Sequence, residues 1–122
     1  MTIAEAITTA HQYRPNNKAQ DSDIIRWINE VDSRIDTDIY RAYFSPRIYV
    51  PYTISTPTST ELLAERGFDR LYQYWICASI DELQGDSERY NEEITKFNSL
   101  FEEYSGFVAR NRMAKHRPVR YY

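Results

Sequence analysis

The amino-acid sequence predicts an all-α fold, a small domain of four helices, and three observations support this. The chain has 122 residues, which is enough for one hydrophobic core and leaves little for a second. Glycine occurs only three times, which disfavours tight β-hairpins and glycine-rich phosphate loops. Apolar residues recur every three or four positions in four separate stretches, as on one face of a helix. We expect one helical domain over residues 1–108, followed by a basic, aromatic tail over residues 109–122.

The first helix is predicted over residues 2–13. Thr2 and Glu5 have the spacing of a capping box, in which each side chain binds a free backbone N–H group at a helix start. The motif Arg14-Pro15-Asn16-Asn17 follows, and it ends the helix because a residue before proline is driven out of the α region.

The second helix is predicted from Asp21 or Ser22 to about Tyr43. Its apolar stripe consists of Ile24, Ile25, Ile28, Val31, Ile35 and Ile39, with Trp27 covering one edge. We expect the opposite face to point to solvent, and it carries Arg26, Asn29, Glu30, Asp32, Arg34 and Asp36.

A Pro/Thr-rich segment over residues 45–60 separates the second and third helices. It contains three prolines and no acidic residue. Proline cannot donate in a β-ladder, which disfavours an interior strand and favours an extended arm or an edge strand. A connection of this length is usually functional or mobile. Two interpretations remain open: an arm that lies along a neighbouring chain, or a loop that lies on its own core.

The C-terminal part predicts a long helical hairpin from about Asp69 to Met113, preceded by one helical turn over residues 61–66. Gly85 and Asp86 are suited to end the first hairpin helix and to begin the second. On the first helix we expect Leu71, Tyr74, Trp75, Ala78 and Leu83 to face the core, flanked by Tyr72, Ile76 and Ile80. On the second, the predicted core stripe is Tyr90, Ile94, Phe97, Phe101, Tyr104 and Val108, and the acidic outer face is Glu88, Glu92, Glu93, Glu102 and Glu103.

The net charge of −3 conceals an asymmetry along the chain. Residues 1–108 contain all eighteen acidic residues and ten of the fifteen basic ones, whereas residues 109–122 contain five basic residues and no acidic one. Three interpretations of this tail are open: phosphate contacts with nucleic acid, a solubilising segment, or, as we prefer, a docking segment for an acidic protein. The residues assigned to docking on a partner are Arg110, Arg112, Lys115, Arg117, Arg120, Tyr121 and Tyr122.

The residue pattern nominates no catalytic, cofactor or metal site, and we expect a protein that is not an enzyme. His11 and His116 lie near opposite ends of the sequence, without a further ligand at metal-binding spacing. The single cysteine, Cys77, lies in an apolar run and is expected to be a buried thiol rather than a reactive one. No signal peptide and no membrane span are evident, so we expect synthesis and folding in the cytoplasm.

Several short motifs occur in an order that resembles a known family. They are Tyr13-Arg14-Pro15-Asn16, the segment IRWINEVD over residues 25–32, Tyr72-Gln73-Tyr74-Trp75, and Arg89-Tyr90-Asn91 followed by Phe97-Asn98. In this order and spacing the chain resembles the small head–tail connector (adaptor, or head-completion) proteins of long-tailed bacteriophages. The likeness extends over residues 1–107, whereas the tail and the Pro/Thr-rich segment depart from the family pattern.

The resemblance implies a structural protein of the virion, without cofactors, made in the cytoplasm of the host cell. Such connectors form a homo-oligomeric ring, often dodecameric, beneath the portal protein. The ring extends the DNA channel without sequence-specific contacts to the DNA. It also joins the capsid to a neck, stopper or tail protein. For contacts between subunits or for the channel wall, the candidates are Tyr49, Tyr52, Glu92, Glu93, Glu102 and Glu103. The alternative function is nucleic-acid binding by an accessory protein through the basic tail.

Overall fold

The computed structural model describes residues 1–42 and 49–116, which are mostly helical and contain no β-strand. This confirms the predicted all-α domain of four helices. The helices are α1 (Ile3–Tyr13), α2 (Asp21–Arg34), α3 (Arg70–Leu83) and α4 (Ser87–His116).

The start of α1 is completed by a distant part of the chain. The capping box of Thr2 and Glu5 is present as predicted. The N–H groups of Ile3 and Ala4 donate to the carbonyl oxygens of Thr60 and Thr58, at 3.1 and 2.9 Å. The free N–H groups of the first turn are therefore bound partly by the helix's own cap and partly by residues 58–60.

The second helix begins at Asp21 as predicted, but its regular α-helical part ends at Arg34. After Arg34 the backbone forms a π-helical turn over Ile35–Ile39 and then a 3₁₀ turn over Tyr40–Ala42. A π turn holds more residues than an α turn, so it rotates the following side chains relative to a regular helix. Tyr40 is thereby buried against α4, where its ring meets that of Tyr104 edge-on.

The hairpin of α3 and α4 forms the most extensive helix pair, and α2 packs on α3 while α1 packs on both α2 and α3. Gly85 lies in the left-handed region, with φ of 76°, and Asp86 accepts a hydrogen bond from the backbone N–H of Arg89 at 3.1 Å. Both residues therefore have the predicted roles at the hairpin turn. The final helix continues for eight residues beyond Val108, which is buried, so the segment that we separated as a tail begins as helix.

Sequence-based expectations about four residues and one segment are wrong. Asp32 and Asp36, assigned to the solvent face of α2, are buried. Leu83, assigned to the core, is 66% exposed, whereas the supposedly flanking Tyr72, Ile76 and Ile80 are fully buried. Glu93, assigned to the acidic outer face, is buried at 8% exposure. Residues 61–66 form no helical turn: Glu61 makes an isolated β-bridge to Thr2, and the residues after it form bends, irregular chain and the start of a turn. The position of Tyr43, the expected end of the second helix, lies outside the described residues.

Candidate functional site

A buried carboxylate lies at the centre of the domain. Asp32, with 0% exposure, accepts hydrogen bonds from the hydroxyl groups of Tyr72 and Tyr52 at 2.5 and 2.7 Å. The backbone N–H of Leu63 is a third donor, at 3.2 Å. The Tyr72 hydroxyl in turn accepts from the N–H of Ala64 at 2.9 Å. Asp32 thus binds Tyr52 and Leu63 to α2, so the connection between the second and third helices is held at two points.

A second pair of tyrosines extends this network. The Tyr40 hydroxyl donates to the carbonyl oxygen of Leu63 at 2.7 Å, which leaves its oxygen free to accept from the hydroxyl of Tyr104. The Tyr104 oxygen accepts from the backbone N–H of Glu65 at 3.2 Å. Residues 63–65 have no regular secondary structure, so these tyrosines supply partners for backbone groups that a helix or sheet would otherwise pair.

The protonation of this network suits a structural role. Burial raises the pKa of Tyr40, Tyr52, Tyr72 and Tyr104 above the ordinary value for a phenol, so all four stay protonated and able to donate. Burial also raises the pKa of Asp32, although three hydrogen bonds act in the opposite direction. Because the carboxylate is sealed from solvent, no substrate can reach it, and we assign the network to folding rather than catalysis.

An ion-pair cluster joins the end of α1 to the hairpin. The Arg14 guanidinium pairs with both oxygens of Asp81, through Nε at 2.8 Å and an Nη at 2.9 Å, and lies 3.5 Å from the Glu93 carboxylate. Asp81 has 0% exposure, and hydrogen bonding to it raises the pKa of Arg14 above its ordinary value. Glu93 therefore neutralises a buried cation and cannot contribute to an acidic outer wall.

The described part of the Pro/Thr-rich segment lies on its own core. The side-chain amide of Asn29 donates to the carbonyl oxygen of Tyr52 at 2.9 Å and accepts from its N–H at 2.8 Å. The Tyr49 hydroxyl donates to the same side-chain oxygen at 2.9 Å. Tyr49 and Tyr52, which we predicted at a subunit contact, are therefore bound within the chain, while the nearby Val50 and Ile54 are 74% and 67% exposed.

The acidic outer face of α4 is present, without Glu93. Glu92, Glu102 and Glu103 are exposed and lie on one side of the helix. Beside them a shallow groove of about 690 Å³ lies between α3 and α4 and includes Arg70, Tyr74, Lys96 and Glu103. Its charges are mixed, so the groove is not a strongly acidic surface.

A second cleft lies where α2 crosses the turn end of the hairpin, and we call it the turn cleft. It has a volume of about 320 Å³ and continues past Tyr90 and Glu82 into a hollow of about 380 Å³ around Gly85. Its lining includes both tryptophans of the chain, two carboxylates, one guanidinium and an exposed leucine: Trp27, Trp75, Glu30, Glu82, Arg26 and Leu83. Trp75 Nε1 donates to Glu30 at 2.9 Å, which orients that carboxylate at the cleft.

The basic tail leaves the domain at the other end of α4. Arg110 is exposed on the final turns, and the helix runs on to His116. The side chains of Arg112 and Lys115, and all of Arg117, Arg120, Tyr121 and Tyr122, lie outside the described residues. At 1.5 Å per residue, α4 separates Tyr90 from His116 by about 39 Å. The turn cleft and the basic exit are thus far apart.

Three further features were considered in the part of the chain that the structure describes: metal ligands, membrane-spanning helices and the thiol of Cys77. Those residues contain no group of three or more histidine, cysteine or acidic side chains able to hold a metal ion. Among them, no helix is both long and apolar enough to cross a membrane. Cys77 is buried, and burial raises its pKa to about 11, which keeps the thiol protonated.

Comparisons with known proteins found no matching family model, no matching curated protein and no matching solved structure.

Sequence reasoning missed both the Asp32 network and the turn cleft. A signal for the first was present, because Asp32 follows Ile28 by four residues and precedes Ile35 by three, which places it in the apolar stripe. No comparable signal marked the cleft, since Glu30, Glu82 and Leu83 converge only through the crossing of separate helices.

Proposed function

We propose that this protein is a structural head–tail connector of a tailed bacteriophage, a ring subunit that extends the DNA channel beneath the portal protein. The ring would join the capsid to a neck, stopper or tail protein and would be a component of the virion. The resemblance in the order of short motifs motivates the proposal, and the geometry of the described residues supports it.

The observation that carries the proposal is the separation of two unlike surfaces along α4. The turn cleft contains two carboxylates, and the opposite end of the helix leads into a segment of five basic residues without an acid. A ring built by head-to-tail contacts needs two different, complementary surfaces on each subunit. A two-fold dimer instead needs one surface that is complementary to itself.

Several of the motif residues make contacts between helices. Arg14 of the Arg-Pro-Asn motif pairs with Asp81, and Asp32 at the end of the segment IRWINEVD binds Tyr72 of the next motif. Trp75 of that motif donates to Glu30. Three of the motifs thus contribute residues that join α1, α2 and α3.

The acidic outer face of α4 is compatible with a channel wall. Glu92, Glu102 and Glu103 are exposed along the helix, and like charge prevents tight contacts with DNA phosphates. Under this proposal DNA slides past the ring without being bound.

Size-exclusion chromatography with light scattering tests the connector function, using the full chain with and without the portal protein of the same genome. We expect a large oligomer, either alone or on addition of portal. A chain that remains a monomer and does not associate with portal would rule the proposal out.

Nucleic-acid binding by an accessory protein is the second candidate. The observation in its favour is that α4 carries the basic segment away from the acidic body, where phosphates would be less strongly repelled. It predicts duplex binding at low salt that is lost when the five basic residues of 109–122 are replaced by glutamine. Unretarded DNA in a low-salt gel would exclude it.

A further inference from the structure

The turn cleft has the composition of a site for a basic, aromatic peptide. Glu30 and Glu82 provide two carboxylates, whereas the one cation, Arg26, lies 3.5 Å from Asp23, which balances its charge. Leu83 presents an exposed apolar side chain at the rim. We propose that this cleft binds the basic C-terminal segment, residues 109–122, of a second copy of the chain.

The sequence of this segment matches the chemistry of the cleft. Arg117 and Arg120 flank a proline and a valine, and two tyrosines follow. A guanidinium pairs with a carboxylate through two parallel hydrogen bonds and also stacks on aromatic rings, both of which the cleft offers. The valine and tyrosine side chains suit the apolar surface of Leu83.

The segment cannot reach the cleft of its own chain. Residue 116, the last of α4, lies about 39 Å along the helix from Tyr90. Residues 117–122 span at most about 20 Å when fully extended. The contact must therefore form between two copies. The segment in the cleft would belong to a neighbouring subunit and not to the same chain.

A contact between the cleft of one copy and the segment of the next is head-to-tail. Such contacts repeat, and they close into a ring when the rotation between subunits allows it. This contact would join the subunits of the proposed connector ring, and in that respect it rests on the proposed function. The binding event itself does not require that function.

A peptide titration tests the contact directly. The receptor is the full chain carrying Arg117→Glu and Arg120→Glu, so that its own tails leave the clefts empty, and the ligand is a synthetic peptide of residues 109–122. Both tryptophans of the chain line the cleft and the peptide has none, so tryptophan fluorescence reports binding. We expect a saturable change, with an affinity that falls as salt is added.

A charge reversal in the cleft provides the control. We expect Glu82→Lys in the receptor to weaken peptide binding about tenfold or more. The matched variant Glu102→Lys makes the same charge change on α4 outside the cleft and should alter the affinity less than about twofold. Far-ultraviolet circular dichroism confirms that both variants are folded. Absence of binding, or equal loss in both variants, would overturn the proposal, as would a peptide that binds portal protein but not this chain.

Complementation distinguishes failure of this contact from failure of the connector function. Glu82→Lys blocks one surface, and the tail reversal Arg117→Glu with Arg120→Glu blocks the other. Each variant alone should fail to self-associate, and a mixture should form a dimer through its one intact pair of surfaces. If the tail-reversed chain still assembles into rings on portal, the contact is refuted while the connector function stands. If the peptide binds the cleft but no ring forms, the contact stands and the connector function fails.

Discussion

The Asp32 carboxylate and the Tyr72 hydroxyl meet at 2.5 Å, although forty residues separate them in the sequence. This hydrogen bond joins the last turn of α2 to the first turn of α3. Both groups also accept hydrogen bonds from the connection between those helices, through the backbone N–H groups of Leu63 and Ala64. One buried carboxylate thereby fixes two helices and the connection between them.

We expect Asp32 and Tyr72 to be strongly coupled in stability. Tyr72→Phe leaves the buried N–H of Ala64 without its partner and should cost about 2–3 kcal/mol. Asp32→Ala leaves two hydroxyl groups and an N–H without an acceptor and should cost at least about 3 kcal/mol. In urea unfolding, the double variant should lose less than the sum by about 1–3 kcal/mol. Tyr74→Phe, on the same helix but outside the network, is the control, and simple additivity would contradict the network.

Protonation of Asp32 should produce a characteristic pH dependence. Its pKa is raised in the folded chain by burial, so the unfolded chain loses this proton at lower pH than the folded one. Stability from Asp32 is therefore greatest below its ordinary pKa and falls as pH rises through the folded value. Asp32→Asn removes this dependence, so the wild-type advantage over the variant should shrink from about pH 4 upward. If the difference in unfolding free energy between wild type and Asp32→Asn grows with pH instead, hydrogen bonding has a larger effect on the pKa of Asp32 than burial has.

Arg14 should be essential for joining α1 to the hairpin. Arg14→Ala leaves the fully buried Asp81 unpaired and should destabilise the domain by about 3–5 kcal/mol. Arg14→Lys keeps the charge but loses the two-pronged pairing, at a cost of about 1.5 kcal/mol. Thermal unfolding provides the measurement, with Arg26→Lys as an exposed control expected to change stability by less than about 0.5 kcal/mol. Equal effects at the two arginines would contradict the buried pair.

Asn29 should hold residues 49–56 against α2. Asn29→Ala removes both hydrogen bonds to the backbone of Tyr52 and the bond from Tyr49. We expect faster hydrogen exchange at the Tyr52 amide and faster proteolysis within this segment, while global stability falls by about 1–2 kcal/mol. Ser33→Ala, on the exposed side of α2, is the matched control. Unchanged exchange at Tyr52 would exclude this role for Asn29.

Cys77 should be unreactive in the folded protein. Burial raises its pKa to about 11, and the side chain is 1% exposed, so both thiolate formation and access are suppressed. At pH 8 we expect an aromatic disulfide reagent to react at least about a hundredfold more slowly with folded than with urea-unfolded chain. Rapid reaction of the folded chain would place the thiol at the surface.

The helices could be predicted from sequence because each carries its own local signals. The capping box of Thr2, the apolar periodicity of α2, and the glycine and aspartate of the hairpin turn act over a few residues. The main errors concern the faces of those helices. An aspartate within an apolar stripe was assigned to solvent on its residue type, because its partners Tyr52, Leu63 and Tyr72 are distant in sequence and their convergence is a tertiary effect.

The surfaces were predictable only in part. The acidic outer face of α4 follows from helical periodicity, and it is present except for Glu93, which is buried beside the half-buried Arg14. The turn cleft depends on where α2 crosses the hairpin, a relation that no periodicity encodes. Leu83 illustrates this limit, since its spacing matches the core stripe but the helix ends before a partner can cover it.

The way in which α1 begins has a consequence for the order of folding. Two N–H groups of its first turn are bound by carbonyl oxygens nearly sixty residues later, and the N–H of Leu62 donates back to the carbonyl oxygen of Met1. Contacts across such sequence separations form slowly, whereas α3 and α4 adjoin through a three-residue turn. We therefore expect the hairpin to form early and α1 to dock late, so that a substitution on the buried face of α1, such as Ile3→Val, would chiefly speed unfolding and leave the folding rate almost unchanged.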